Sequence, residues 1–164
     1  MTALDEIRLL ILAVESELDL LRQLKAQVAD TIRRLPMGQP DIHDMRSVAM
    51  LLTEIYLGAE NLMRQIAKRL GEAIPSGKAW HQELLAQFST EVPDLRPALF
   101  RSSTQITLDE FRRFRHVVHH AYAIVLDWDQ MSKLLAQADS ALEDMIADVQ
   151  AFREFLVAAS PDEG

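Results

Sequence analysis

The sequence has no cysteine, which excludes a disulfide framework and any metal site built on thiolates. Aromatic residues are scarce at 6%, and 164 residues hold only 5 glycines and 6 prolines. Low-complexity, collagen-like and disordered compositions are therefore excluded. Positive charge is not in excess either. The net charge is -8, which argues against a sequence-blind coat for nucleic acid but leaves room for a small cationic site. No apolar run approaches the roughly 20 residues needed to span a bilayer. The opening MTALDEIRLLIL has an acidic pair before its apolar run and no basic flank, unlike a signal peptide. A cytoplasmic protein without a membrane segment is expected.

What is present is apolar periodicity. Apolar residues make up 49% of the chain, enough for a sizeable core, and the expectation is one domain over residues 1–164 with a frayed tail at 158–164. Leu4, Ile7, Ile11, Val14, Leu18, Leu21, Val28, Ile32 and Leu35 recur at steps of mostly three and four, predicting a helix over about 3–35 that Thr2 can cap. MGQP at 37–40 ends it. A second stripe, Met45, Val48, Leu52, Ile55, Ala59, Leu62, Ile66 and Leu70, predicts a helix over about 41–70, capped by Asp41 and stopped at Gly71. Residues 78–88 read as a short helix. Residues 91–106 hold two prolines and read as a loop with one helical turn near 95–100, packed by Leu95, Leu99 and Phe100. A last helix is expected over about 129–158, capped by Asp127 or Asp129. No strand alternation and no internal repeat is visible. The expected class is all-α: an up-and-down bundle of long antiparallel helices with one shorter helix and an inserted loop, paired as a homodimer.

The remaining helix carries the chemistry. Thr107 and Glu110 have the spacing of a capping box, which predicts a helix over about 108–125. Within it stands Arg115-His116-Val117-Val118-His119-His120-Ala121-Tyr122, with three of the five histidines of the chain. A guanidinium is always charged and forks onto two oxygens, which suits phosphate. Imidazole exchanges protons near neutral pH. A solvated helix face would account for one Arg and one His. Three His in five positions is a poor choice for a plain helix, because Leu, Ala, Glu and Lys are better helix formers.

Arg115, four residues, His120, one residue, Tyr122 resembles the R-x4-H-x-Y motif of HEPN-domain ribonucleases, in particular the HepT toxins. In that family the motif also sits late in an all-helical domain of similar size. One departure is His116, where the family often has Asn. The resemblance implies a metal-independent endoribonuclease without cofactor, the toxin of a toxin–antitoxin pair. It implies that Arg115 holds the scissile phosphate and that His120 activates the ribose 2′-hydroxyl or protonates the leaving oxygen, leaving a cyclic phosphate. It also implies a homodimer with both motifs facing one cleft, so that Arg112, Arg113 and Arg115 would gather charge for RNA. The implied partner is a minimal nucleotidyltransferase (MNT-type) antitoxin that adds AMP to the motif tyrosine, here Tyr122. On a straight helix Arg115 and His120 lie roughly 140° apart. A distorted helix start, convergence across the dimer, or a share of the task for His119 would each reconcile the two, with His116 as a further supporting imidazole.

Two other readings stand beside this one. A HEPN-like module could bind a partner protein or nucleotide without cutting RNA. A histidine-based metal bundle could use His116 and His119 with His43 or His81, although the Glu-x-x-His pattern of di-iron bundles is missing. Trp80, Trp128 and the Arg33-Arg34 pair read as structural: two partly buried anchors and a complement to a helix dipole.

Overall fold

The computed structural model describes residues 1–120 and 125–160. Among the described residues there are five helices and no strand: α1 (Ala3–Arg34), α2 (Ile42–Leu70), α3 (Trp80–Phe88), α4 (Ser102–His120) and α5 (Trp128–Ala159). None of the helices is long and apolar enough to cross a membrane.

The helix ends follow local chemistry. Thr2 and Asp5 form a reciprocal capping box on α1. Asp41 caps α2 through the Asp44 amide, and Gly71 closes it at φ 71°, a left-handed turn that glycine adopts without a side-chain penalty. Asp127 caps α5 by accepting from the amides of Asp129 and Gln130. Helix α5 continues to Ala159, one residue beyond its expected end.

The long helices are antiparallel where α1 meets its neighbours. Glu6 pairs with Arg69 and Glu17 with Gln65 across α1 and α2, while Glu15 pairs with Arg153 and Lys25 with Asp139 across α1 and α5. One hydrophobic core runs through all five helices, with Val14, Leu52, Tyr56, Leu84, Phe111 and Met145 fully buried. The stripe of α1 differs from expectation: Leu10 and Leu24 are buried, whereas Ile32 is exposed.

Two expectations for the middle of the chain are corrected. No helical turn forms near 95–100. Instead Val92 and Arg96 make an isolated bridge with Asp94 left-handed at φ 63°. Leu99 and Phe100 pack as expected, but Leu95 is exposed and Arg96 is buried in its place. The Arg96 guanidinium forks onto Glu72, Nε to Oε2 at 2.5 Å and Nη2 to Oε1 at 2.8 Å. It also donates to the carbonyls of Thr90, Pro97 and Gln87. A charge taken out of water needs this many partners, and it finds them.

The second correction concerns α4, which starts at Ser102 and not near 108. Thr107 lies inside the helix and its hydroxyl donates to the Ser103 carbonyl, so the Thr107–Glu110 spacing is not a cap. Tertiary contact sets the start: the Arg101 amide and guanidinium both bind the buried Asp148 carboxylate of α5.

Candidate functional site

The site forms where α2, α3 and α4 meet. Phe111 and Leu108 bury one side of α4 against the core. This leaves Arg112, Arg115, His116, His119 and His120 on another side, where they line a cavity of about 200 Å³ together with His81 of α3. Ligand pockets for whole drug-sized molecules run from roughly 300 to 1,000 Å³. This cavity suits a phosphate and part of a sugar.

The sequence puzzle of Arg115 and His120 resolves without distortion. At about 100° per residue, the five α4 positions fan over roughly 140°, with Arg115 at one edge, His120 at the other, and His119, Arg112 and His116 between. The two motif residues flank the pocket, and the angle between them is its width. His120 is stacked on His116, ring centroids 4.1 Å apart, and its Nδ1 lies 2.9 Å from the His116 carbonyl. A carbonyl only accepts, so Nδ1 carries the proton and Nε2 is the nitrogen left for a ligand.

Three residues behind the pocket escaped the sequence reading or were only glimpsed in it. Glu60 of α2 is 3% exposed. Its Oε2 accepts from Arg115 Nη1 at 3.2 Å and lies 2.7 Å from His81 Nδ1. Tyr56, one turn earlier, is fully buried; its hydroxyl donates to the His81 carbonyl at 3.2 Å, and its ring lies 5.8 Å from the Arg115 guanidinium. Burial, reinforced by the Glu60 charge, holds the Tyr56 phenol above its ordinary range, so it stays a neutral donor. Trp80 stacks on His81 with centroids 3.6 Å apart. A carboxylate at position 60, between the core positions Ala59 and Leu62, was the available signal for Glu60.

The arginines are not bare charges. Arg112 Nε pairs with Asp109 at 2.7 Å, and Arg115 pairs with Glu60. Arg115 Nε is buried and has no acceptor among the described residues, an orphan donor of the kind that costs roughly 1–3 kcal/mol. Arg113 does not reach this pocket. It binds Asp109 at 3.2 Å and lines a separate groove with Phe114, Val117 and Leu134. Tyr122 lies outside the described residues. No cluster of three His, Cys, Asp or Glu positioned to hold a metal exists among the described residues. His43 begins the same helix as Glu60, 17 positions earlier in the sequence, which is about 25 Å along the axis, so it does not complete a set with His116 and His119.

A helical protein with a small pocket of guanidinium and imidazole groups, backed by a buried carboxylate, is the class these features define. The chain belongs to the HepT-like protein family, whose model matches residues 47–156. The matched stretch holds every residue of the pocket and omits α1. No curated protein and no solved structure matches the chain.

Proposed function

We propose that this HepT-like chain is a metal-independent endoribonuclease, the toxin of a HEPN–MNT type pair, acting in the cytoplasm as one domain and as a homodimer. The observation that carries the reading is the convergence of Arg115 and His120 on one phosphate-sized pocket. In this reading Arg115 holds the scissile phosphate and stabilises its developing charge. An imidazole takes the proton of the 2′-hydroxyl, the 2′-oxygen attacks phosphorus, and a cyclic phosphate results. His119 and His116 line the same pocket and support binding of RNA, as does Arg112. Arg113, on the neighbouring groove, contacts RNA beyond the cut. A minimal nucleotidyltransferase antitoxin silences the enzyme by adding AMP to Tyr122. Family membership and the R-x4-H-x-Y match support these finer assignments.

The test is RNA cleavage in EDTA by the parent, Arg115→Ala and His120→Ala. Each substitution is expected to lower the rate by roughly 10²–10⁴-fold. Cutting by the parent that either variant retains in full overturns the assignment.

One observation favours a second reading. Both pocket arginines already pair with carboxylates, Arg112 with Asp109 and Arg115 with Glu60. That arrangement also suits a module that binds a nucleotide or partner protein without cutting. A parent that binds RNA but never cleaves it would select this reading.

A further inference from the structure

Resting on the nuclease reading, we propose that His81 is the proton donor to the leaving 5′-oxygen, held in place by Glu60, while His120 is the base. His81 comes from α3, outside the Arg115–Tyr122 motif, yet it lines the same cavity.

The two imidazoles differ in what holds their Nδ1. His120 Nδ1 faces a neutral backbone carbonyl. That contact fixes one tautomer and leaves Nε2 with its lone pair, the form that accepts a proton. His81 Nδ1 faces the buried carboxylate of Glu60 at 2.7 Å. A carboxylate there accepts from Nδ1 and lies where it can balance the charge of a ring that carries a proton on both nitrogens, the form that donates from Nε2. The His81 ring is further held by Trp80 stacked on its face, and the backbone that carries it by the Tyr56 hydroxyl bonded to its carbonyl. Two contacts to the ring and one to its backbone hold a side chain that is still 27% exposed. Core packing alone does not call for a carboxylate partner and an open edge together.

The proton inventory closes. The 2′-hydroxyl proton passes to His120 Nε2 as the 2′-oxygen bonds to phosphorus. The bond from phosphorus to the 5′-oxygen breaks, and that oxygen takes the proton of His81 Nε2. The products are a 2′,3′-cyclic phosphate and a 5′-hydroxyl. Exchange with water restores both rings. Glu60 touches no substrate in this scheme; it is a positioning residue that acts through His81 and Arg115.

The experiment compares two synthetic RNAs spanning a mapped cut site, one natural and one with sulfur at the bridging 5′ position. A thiolate leaves without a proton, so it needs no donor. In EDTA, His81→Ala and His81→Gln are expected to cut natural RNA roughly 10²-fold or more slowly than the parent. Both should cut the sulfur RNA within about threefold of the parent's rate. Glu60→Gln should show the same contrast more weakly, and His120→Ala should lose both substrates. His43→Ala, remote from the pocket, should change neither. Equal losses on the two RNAs in both His81 variants overturn the donor role, as does full activity on natural RNA. A parent that cuts neither RNA sinks the nuclease reading itself, and this inference with it. Where the parent cuts both, the contrast between the two RNAs tests His81 alone.

Discussion

Arg115 Nη1 on α4 donates to Glu60 Oε2 on α2 at 3.2 Å, so the motif arginine is held by a carboxylate that is almost wholly buried. The pair gives the guanidinium a fixed position, and it also places a competitor beside any incoming phosphate.

Glu60→Gln removes that competitor while keeping the side-chain volume. The expected result is tighter binding of an uncleavable 2′-deoxy oligonucleotide, by about tenfold for a charge-assisted hydrogen bond worth roughly 1.5 kcal/mol, together with slower cleavage of RNA. Fluorescence anisotropy gives the Kd. Weaker binding by the variant would show that Glu60 assists the anion and does not compete with it.

Arg96→Met tests the anchor of the loop between α3 and α4. The Arg96 side chain is 0% exposed and its partner Glu72 is 10% exposed. Removing one partner of such a pair costs roughly 3–5 kcal/mol. Burial pushes the Glu72 carboxyl up, but bonds from Arg96 and Gln87 outweigh burial and hold it below the usual carboxylate range. A lowered folded-state pKa stabilises above the unfolded value and is lost as pH falls through the folded one. The gap between parent and variant in urea unfolding should therefore be full at pH 7 and narrow below about pH 4. A gap independent of pH would remove the ion pair from the explanation.

Glu17 presents the opposite sign. Its carboxyl is raised by burial, which the bond from Gln65 only partly offsets. A raised folded-state pKa means that the group favours folding below its unfolded pKa and that this is lost as pH rises through the folded value. Glu17→Gln should accordingly raise Tm at pH 7 by about 1–3 °C and leave it nearly unchanged near pH 4. Calorimetry at the two pH values decides the matter.

Asp127→Ala deletes the cap of α5, where one carboxylate oxygen accepts from two amides. The cost should be about 1 kcal/mol, a fall in Tm of about 2–4 °C. No change on thermal melting would mean that packing alone holds the start of α5.

Much of this was legible before any coordinates. Thr2, Asp41 and Gly71 marked their helix ends, and the cap of α5 was narrowed to Asp127 or Asp129, because caps are local chemistry, written within three or four residues. The start of α4 was not legible, because it depends on Asp148, 47 positions from Arg101, and because Thr107 and Glu110 imitate a cap inside a helix. The pocket half built by α4 was visible in the crowding of histidines at 116, 119 and 120. The other half was not. Glu60 looks like one more charge on a long helix until the fold buries it, and Tyr56 looks like core. A site assembled from three helices shows in sequence only where one helix supplies several of its parts.

The stack of Trp80 on His81 has an optical consequence. Trp80 lies face to face with that imidazole, and the chain has only one other tryptophan. The protein thus carries a built-in fluorophore in face contact with a pocket residue, so a ligand that displaces the His81 ring is expected to change the emission without any label.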